Sequence, residues 1–514
     1  MMKLPEAMAT LELKDQQIAT LVRQNEELVG EVTGLRHQIE QLQRRLYGPR
    51  SERYEADQMY LDGVLKDSQI ADLPADLPSI PVKETVRRQA RPHGRADIPA
   101  NIERVDEMLD LPADKKIDPL SGKALVKLRD EISEKLAWKP GQWYVRRFIR
   151  PVYVHPDSQS EQAGVFMCSM PDSPVDKCKA DNSVLALVAV QKYVDHLPLY
   201  RQGDIIFKRE GVEVAPSTLN AWAIEPILAL ERLYEALKAD VLSRPVIFTD
   251  DTPVAMLQNG LGRTKTARLW VYVGGCGPPH RFFDFTGDRK RDRPLAVLAH
   301  YSGFVHADAY GGYDELFRRS RNVVEVGCWA HARRRFDESH SSAAAQCSEL
   351  LVRIGQLYKI EQDIRGKTPA ERKATRQSES QPLLDTLYER FEQMGLKALP
   401  VSVFGKALGY AINQREALCR YTTDGRLEID NNAAENAIRP LAIGRKNWLF
   451  AGSERGGKAC AIALSLLQSA KAVGINPYDY LHDIYNRFMS HPVNRLHELL
   501  PAEWKRAHTE SGRP

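Results

Sequence analysis

The sequence predicts a multidomain α/β protein: an N-terminal coiled coil, a small β-rich module, a helix-turn-helix, and a mixed-sheet core carrying a helical insertion. Three observations predict it. Residues 11–46 repeat apolar side chains in heptads, and residues 197–228 outline two helices about a glycine turn. From residue 245 strand-like runs take over, beginning with "VIFTDD", and two of those runs deliver aspartates.

A chain of 514 residues is too long for one core, so several folding units are expected. With 43% hydrophobic and 27% charged residues, its composition is that of a globular protein. No apolar run approaches the roughly 20 residues that span a bilayer. The start, "MMKLPEAMATLELKDQQ", lacks a basic region followed by an apolar core. The expected location is therefore the cytoplasm, with no membrane partner. Seven cysteines without a CxxC pair argue against a disulfide framework, a zinc ribbon or a redox motif. A net charge of +4 does not by itself demand nucleic acid, but the basic residues cluster at 44–53, 87–95, 289–293 and 333–335.

The first element, 1–60, is read as a dimerising coiled-coil helix. Leu11, Ile18, Asn25, Val32, Ile39 and Leu46 share one seam position, and Leu21, Leu28, Leu35 and Leu42 share the other. β-Branched residues at the first position with leucine at the second favour two strands, and a single asparagine sets register. Residues 61–100, rich in proline, aspartate and arginine, read as a linker. Residues 101–175 mix short strand-like runs such as "WYVRRFIRPVYV" with turn residues, a small β-rich module. In 176–243 a helix with Tyr200 and Ile206 inward meets a turn at Gly211. Ser217 would then cap a second helix, through Leu219 and Trp222, that offers Thr218 and Asn220 to a DNA groove.

The core is expected over 244–489, with a polar helical insertion at about 337–425 and a C-terminal tail at 490–514. "VIFTD", "RLWVYVGG" and "HRFFDFT" form a meander, "RPLAVLAHY" a helix, and "GFVHADAY" and "VVEVGCWAH" two further strands. The fourth strand can return beside the first, which would bring Asp250 and Asp308, each expected at a strand tip, together. A third acid, Glu435, lies in the first turns of a helix that Asn431 or Asn432 would cap. Such carboxylates can share Mg²⁺, and two ions roughly 4 Å apart support in-line phosphodiester displacement. Each acid alone has a dull reading as a cap, a turn or surface charge; their order on two strands and a helix points to a site.

Several stretches carry a family resemblance: "RRLYGPRSERY", "TDDTPVAML", "HADAYGGYDEL", "GCWAHARRRF", "EIDNNAAENAIRPLAIGRKNWLFAGSERGG" and "INPYDYLHDIYNRF". In this order and over nearly the whole chain, the sequence resembles the bacterial DDE transposases of the insertion sequence 66 family. The resemblance implies an RNase H-like catalytic core with Asp250, Asp308 and Glu435 as the metal-binding triad. It also implies two Mg²⁺ ions, replaceable by Mn²⁺, and DNA at element ends and target as partner. A homodimer or higher assembly, and accessory proteins from the same element, complete the expectation.

Two departures stand out. The family usually has glutamate after the first aspartate, where this chain has Asp251, which should point away from Asp250. The family's small N-terminal module is typically a Cys-rich zinc unit, but here Asp118, Ser121, His155 and Ser158 stand near the thiolate positions. No zinc is therefore expected there. Cys328 and His331 have ligand-like spacing, but no second pair is visible, and they read as packing where the core strand meets the insertion. After Glu435, Arg439, Arg445, Lys446, Arg455 and Lys458, among glycines, read as phosphate contacts, with Trp448 in the core. Two rival readings share features with the transposase. An RNase H-like nuclease would cut without joining strands, and a sequence-specific DNA-binding regulator would need no acids.

Overall fold

The computed structural model describes residues 98–510 except 118–122, 155–164, 259–262, 309–310 and the single positions 99, 101, 140 and 321. The expected coiled coil and nearly all of the expected linker lie outside the described residues, as do Asp118, Ser121, His155 and Ser158. The described chain separates into a helical unit, Cys328–Gly425, and a second unit built from the residues before and after it.

The second unit opens with a mixed sheet. Strands β2 (Val126–Lys139) and β3 (Gln142–Val154) form a long hairpin, β1 (Glu103–Met108) runs parallel to β3, and the short β4 (Val165–Phe166) pairs with β3 antiparallel. Gly141 turns the hairpin at φ +82°, a backbone state that a residue with a Cβ rarely adopts. Leu136, Ala137, Val145 and Phe148 are buried at one end of the hairpin. Helix α1 (Asn182–Tyr193) is tied there: Asp181 accepts from Ser183 N at 3.0 Å, and Ser183 Oγ accepts from Trp138 N at 2.9 Å.

A helical stretch from Leu199 ends at Gly211 (φ +73°), and α2 (Pro216–Ala229) follows, then α3 (Glu231–Leu242). Two details of the expected helix-turn-helix are corrected. Ser217 does not cap α2; Ala215 stands at the cap position without a side-chain bond, and Pro216, whose fixed φ suits a first helical residue, opens the helix. Tyr200 points outward, 64% exposed. Gln202 takes the inward place, fully buried, its Nε2 donating to Leu197 O at 3.0 Å and Val188 O at 3.3 Å. Leu219 and Trp222 are buried, while Thr218 and Asn220 are exposed.

The larger sheet comprises β5 (Val246–Leu257), β6 (Thr264–Gly275), β7 (Arg281–Thr286), β8 (Gly303–His306) and β9 (Val323–Val326), in the order β7-β6-β5-β8-β9. The first three strands form an antiparallel meander. After helix α4 (Asp292–Val297), β8 returns parallel to β5, and after α5 (Asp314–Arg319), β9 runs parallel to β8. β5 does not end at its aspartates but continues to Leu257, and β8 ends at His306, two residues before Asp308.

In the helical unit, α6 (Trp329–Glu338) begins earlier than the 337 expected for the insertion. It is followed by α7 (Ala344–Asp363), α8 (Gln381–Gly395) and α9 (Val403–Asn413). Phe336 stacks on Phe391 with centroids 5.3 Å apart, and Trp329 Nε1 donates to Leu418 O at 2.8 Å. Arg376, fully buried, forks onto Glu361 at 2.7 and 2.6 Å and donates to Tyr421 O and Asp424 O, so no part of its charge is left to an apolar wall.

The chain then re-enters the second unit as α10 (Asn432–Trp448), α11 (Glu454–Ala472), α12 (Pro477–Arg487) and α13 (Pro501–Glu510). Residues beyond 490 pack as well, with Leu496, Leu499 and Trp504 buried and Trp504 Nε1 donating to Asp483 at 2.6 Å. Among the described residues no helix is long and apolar enough to cross a membrane. Helix α11 closes the free edge of β7. Phe283 N donates to Ser465 Oγ at 2.8 Å and Arg281 N to Ser469 Oγ at 3.0 Å, two serines one helical turn apart meeting two alternate strand residues. Ser465→Ala would strand the buried Phe283 N–H. A loss of about 1–3 kcal/mol is expected, read by urea unfolding against wild type.

Candidate functional site

Pairing between β5 and β8 covers only Val246↔Phe304, Ile247↔Val305 and Phe248↔His306. Two residues further along the same parallel register come Asp250 and Asp308, side by side just past the end of β8. Among the described residues, β5 continues without a strand beside it on that edge. Its polar groups there are met by α10 and the residues after it. Asn431 Nδ2 donates to Thr249 O at 2.9 Å, and Arg445 Nη1 donates to Thr252 Oγ1 at 2.7 Å and also to Pro253 O. Ala451 N donates to Ala255 O at 2.8 Å and Leu257 N to Ala451 O at 2.9 Å.

Asn431 stands at the cap position of α10, yet makes no capping bond with its side chain. Its amide is used to dock the helix on β5 instead. Glu435 follows four residues later, one turn along the same face, and is thereby brought to the level of Asp250. The pKa of the Asp250 carboxyl is raised well above its ordinary range. Burial is the largest cause, followed by the charges of Asp308, Asp251 and Glu435. Carboxylates crowded in this way lower their energy by sharing a proton or a cation, and carboxylate oxygens suit a hard cation such as Mg²⁺.

Asp251 lies on the reverse face of β5, 3% exposed, and is held by two arginines. Its Oδ2 accepts from Arg268 Nη1 at 3.0 Å, and its Oδ1 accepts from Arg289 Nη2 at 2.8 Å and Nε at 3.1 Å. Its backbone N donates to Asp250 Oδ1 at 2.7 Å. Burial pushes the Asp251 carboxyl up while Arg289 and Arg268 oppose that shift. Sequence reasoning foresaw the direction of Asp251 but not its two partners: Arg289 was read only as part of the basic cluster 289–293, and Arg268 carried no signal.

The basic residues read as DNA contacts are placed differently from one another. Arg439 and Lys446 are exposed on α10, whereas Arg445 turns onto β5. Its pKa is lowered to about 10 by burial and by the charge of Arg268. Arg455 pairs with Glu225, and Lys458 with Glu231 at 2.6 Å. Cys328 is fully buried at the cap position of α6.

A sheet with an acid beside the end of its returning strand, and a third acid brought in by a docked helix, is an arrangement suited to cutting phosphodiesters. Comparison with known proteins agrees with that class. Residues 177–459 match the model described as "Transposase IS66 family", and residues 465–502 match "IS66 C-terminal element". The chain belongs to the IS66 family of transposases. Residues 34–106 match a model described as "Transposase C of IS166 homeodomain", a DNA-binding type of description over the segment read from sequence as coiled coil and linker. Among similar proteins of Sinorhizobium fredii, the uncharacterized protein y4qI is 33% identical over 484 residues, covering 90% of this chain and 87% of that protein. The uncharacterized protein y4jD is 30% identical over 505 residues, covering 93% and 96%.

The crowding sets a prediction. A carboxyl whose folded pKa is raised above its ordinary 3.8 contributes fully below that value and loses its contribution as pH rises through the folded pKa. In metal-free protein at pH 8, Asp250→Asn should therefore raise Tm, by about 2–4 °C for each 1 kcal/mol of repulsion removed. The gain should shrink as pH falls, and added Mg²⁺ should stabilise wild type more than the variant. Calorimetry over pH, with and without Mg²⁺, reads all three effects.

Proposed function

We propose that the second unit contains an RNase H-like core that cleaves DNA at the ends of an insertion sequence and joins the freed 3′ ends to target DNA. The single observation that carries this reading is the register of β5 with β8, which sets Asp250 beside Asp308, with Glu435 brought to them by the Asn431 dock. The meander whose fourth strand returns beside its first supports the RNase H-like assignment.

In this reading Asp250, Asp308 and Glu435 hold a pair of Mg²⁺ ions. Such ions would supply Lewis-acid activation of an attacking oxygen and charge stabilisation of the leaving one. The chain's own contribution is positioning. The backbone N of Asp251 fixes one Asp250 oxygen, and Asn431 fixes the helix that carries Glu435. Arg439 and Lys446, exposed on the same helix, are proposed phosphate contacts. Arg455 and Lys458 would exchange Glu225 and Glu231 for phosphate, while Arg445 acts inside the fold. Thr218 and Asn220, exposed at the start of α2, are the proposed reading positions of the helix-turn-helix. Assembly as a dimer through the heptad segment, with accessory proteins from the same element, completes the proposal.

The test places the genomic flanks of the reading frame around a marker on a supercoiled plasmid, with purified protein, Mg²⁺ and a second DNA. Wild type should nick at the element boundary and join the end. Asp308→Asn should bind the flanks with wild-type affinity and reduce both steps to background. Nicking without joining would support the nuclease instead. Flank binding with unchanged activity in Asp308→Asn would remove the acids from the mechanism.

A further inference from the structure

The loop from β7 to α4, residues 287–291, with the first residues of α4, is strongly basic and has no role in the reading above. Its residues Asp288, Arg289, Lys290, Arg291, Asp292 and Arg293 face in two directions. Arg289 turns inward, 37% exposed, and forks onto one oxygen of the buried Asp251, which Arg268 holds from within the sheet. Lys290 and Arg291 are exposed, and Arg293 closes the loop on Asp288 at 3.1 Å. Thr286, the last residue of β7, pairs across β6 with Arg268, which pairs with Pro253, so the loop leaves the sheet level with Pro253, two residues along β5 from Asp251 and three from Asp250.

A buried acid between two arginines is a poor source of stability, because each charge must be desolvated. Its effect here is geometric. It fixes the root of a basic loop at Asp251, the neighbour of Asp250 along β5 on the other face of the sheet. Lys290, whose Nζ lies 4.0 Å from Asp288 Oδ2, and Arg291 are exposed on that fixed loop, and fixed cations lower the repulsion that the acids of this sheet would exert on a DNA backbone.

We infer that this loop is a phosphate-binding element for the DNA that enters the carboxylate site, with Lys290 and Arg291 contacting the backbone and Arg289, on Asp251, setting the loop's position. Arg289 is a positioning residue; Lys290 and Arg291 are the contacts. The inference rests on the DNA-processing reading of this unit but names a surface that reading does not use.

The experiment measures binding of the full-length protein to a duplex carrying a genomic flank of the reading frame, in EDTA, over a potassium chloride series. The compared proteins are wild type, Lys290→Ala/Arg291→Ala, Arg289→Ala and Arg289→Lys. Loss of two phosphate contacts should make the slope of log K against log salt shallower by about 1.8. Arg289→Ala removes the tether and should also flatten the slope, while Arg289→Lys should recover part of it. A merely structural Arg289 would lower Tm without moving the slope. An unchanged slope in the double variant, or no binding by wild type, would overturn the inference; flattening in the double variant alone would overturn the tether. The readout needs no cleavage, so the two readings fail separately. A flattened slope with no strand cleavage by wild type would support the loop and sink the proposed reaction. Cleavage lost in Asp308→Asn with an unaltered slope in the loop variants would do the reverse.

Discussion

The site depends on the open edge of β5. A strand in a sheet needs partners for its amides and carbonyls on both edges, and β5 outlasts β8 by nine residues on one of them, from Thr249 to Leu257. Among the described residues no strand takes the vacant place. Side chains and one short loop do so, in sequence along the edge: Asn431 at Thr249, Arg445 at Pro253, and Ala451 at Ala255 and Leu257. Pro253 suits that edge, since it has no N–H to satisfy. Satisfying these backbone groups holds α10 along β5, and with it Glu435. The carboxylate cluster is thus a consequence of hydrogen-bond accounting in the sheet.

The same economy appears at the far edge. β7 would expose a row of amides, and Ser465 and Ser469 of α11 meet two of them. Both edges of the meander are therefore finished by helices from the C-terminal part of the chain, after the helical unit has intervened. A core assembled this way acquires its last carboxylate only when the segment after Gly425 folds back onto strands laid down before Cys328. The local order of the sequence conceals this dependence.

Much of the site was legible because it follows simple patterns. Strand-like runs ending near aspartates, and a helix with glutamate in its first turn, announce themselves by composition, and the return of the fourth strand beside the first follows from connectivity. The strand lengths were harder to foresee. "VIFTDD" looks like a strand that stops at its charges, because a sequence shows the cost of burying aspartate and not the partners that offset it. Arg268 and Arg289 supply those partners for Asp251 from across the sheet. Asn431, with Asn432, was read as a candidate helix cap, a role its type favours, but its amide meets the Thr249 carbonyl, and the first amide of α10, Asn432 N, is met by Asp430 Oδ1 at 3.1 Å instead. Tyr200 was read as inward because it is apolar and correctly spaced; Gln202 displaced it by satisfying two carbonyls.

Arg445 shows why charge in a motif is a weak guide to contact. From the sequence it is one of several cations after Glu435, all suited to phosphate. Inside the fold it bonds β5, and burial, with Arg268 nearby, lowers its proton affinity. Two arginines approach from α10 and from β6 near a set of acids that lies one or two residues away along β5. The acids repel one another, and these cations offset the field without entering the cluster itself. A site that is to accept both metal and phosphate has to balance these charges. Too few cations leave the acids protonated and unable to bind metal, and too many would hold the carboxylates in ion pairs. Asp251 takes up Arg268 and Arg289 and leaves Asp250 buried among other acids, and burial with that crowding holds the Asp250 carboxyl well above its ordinary range.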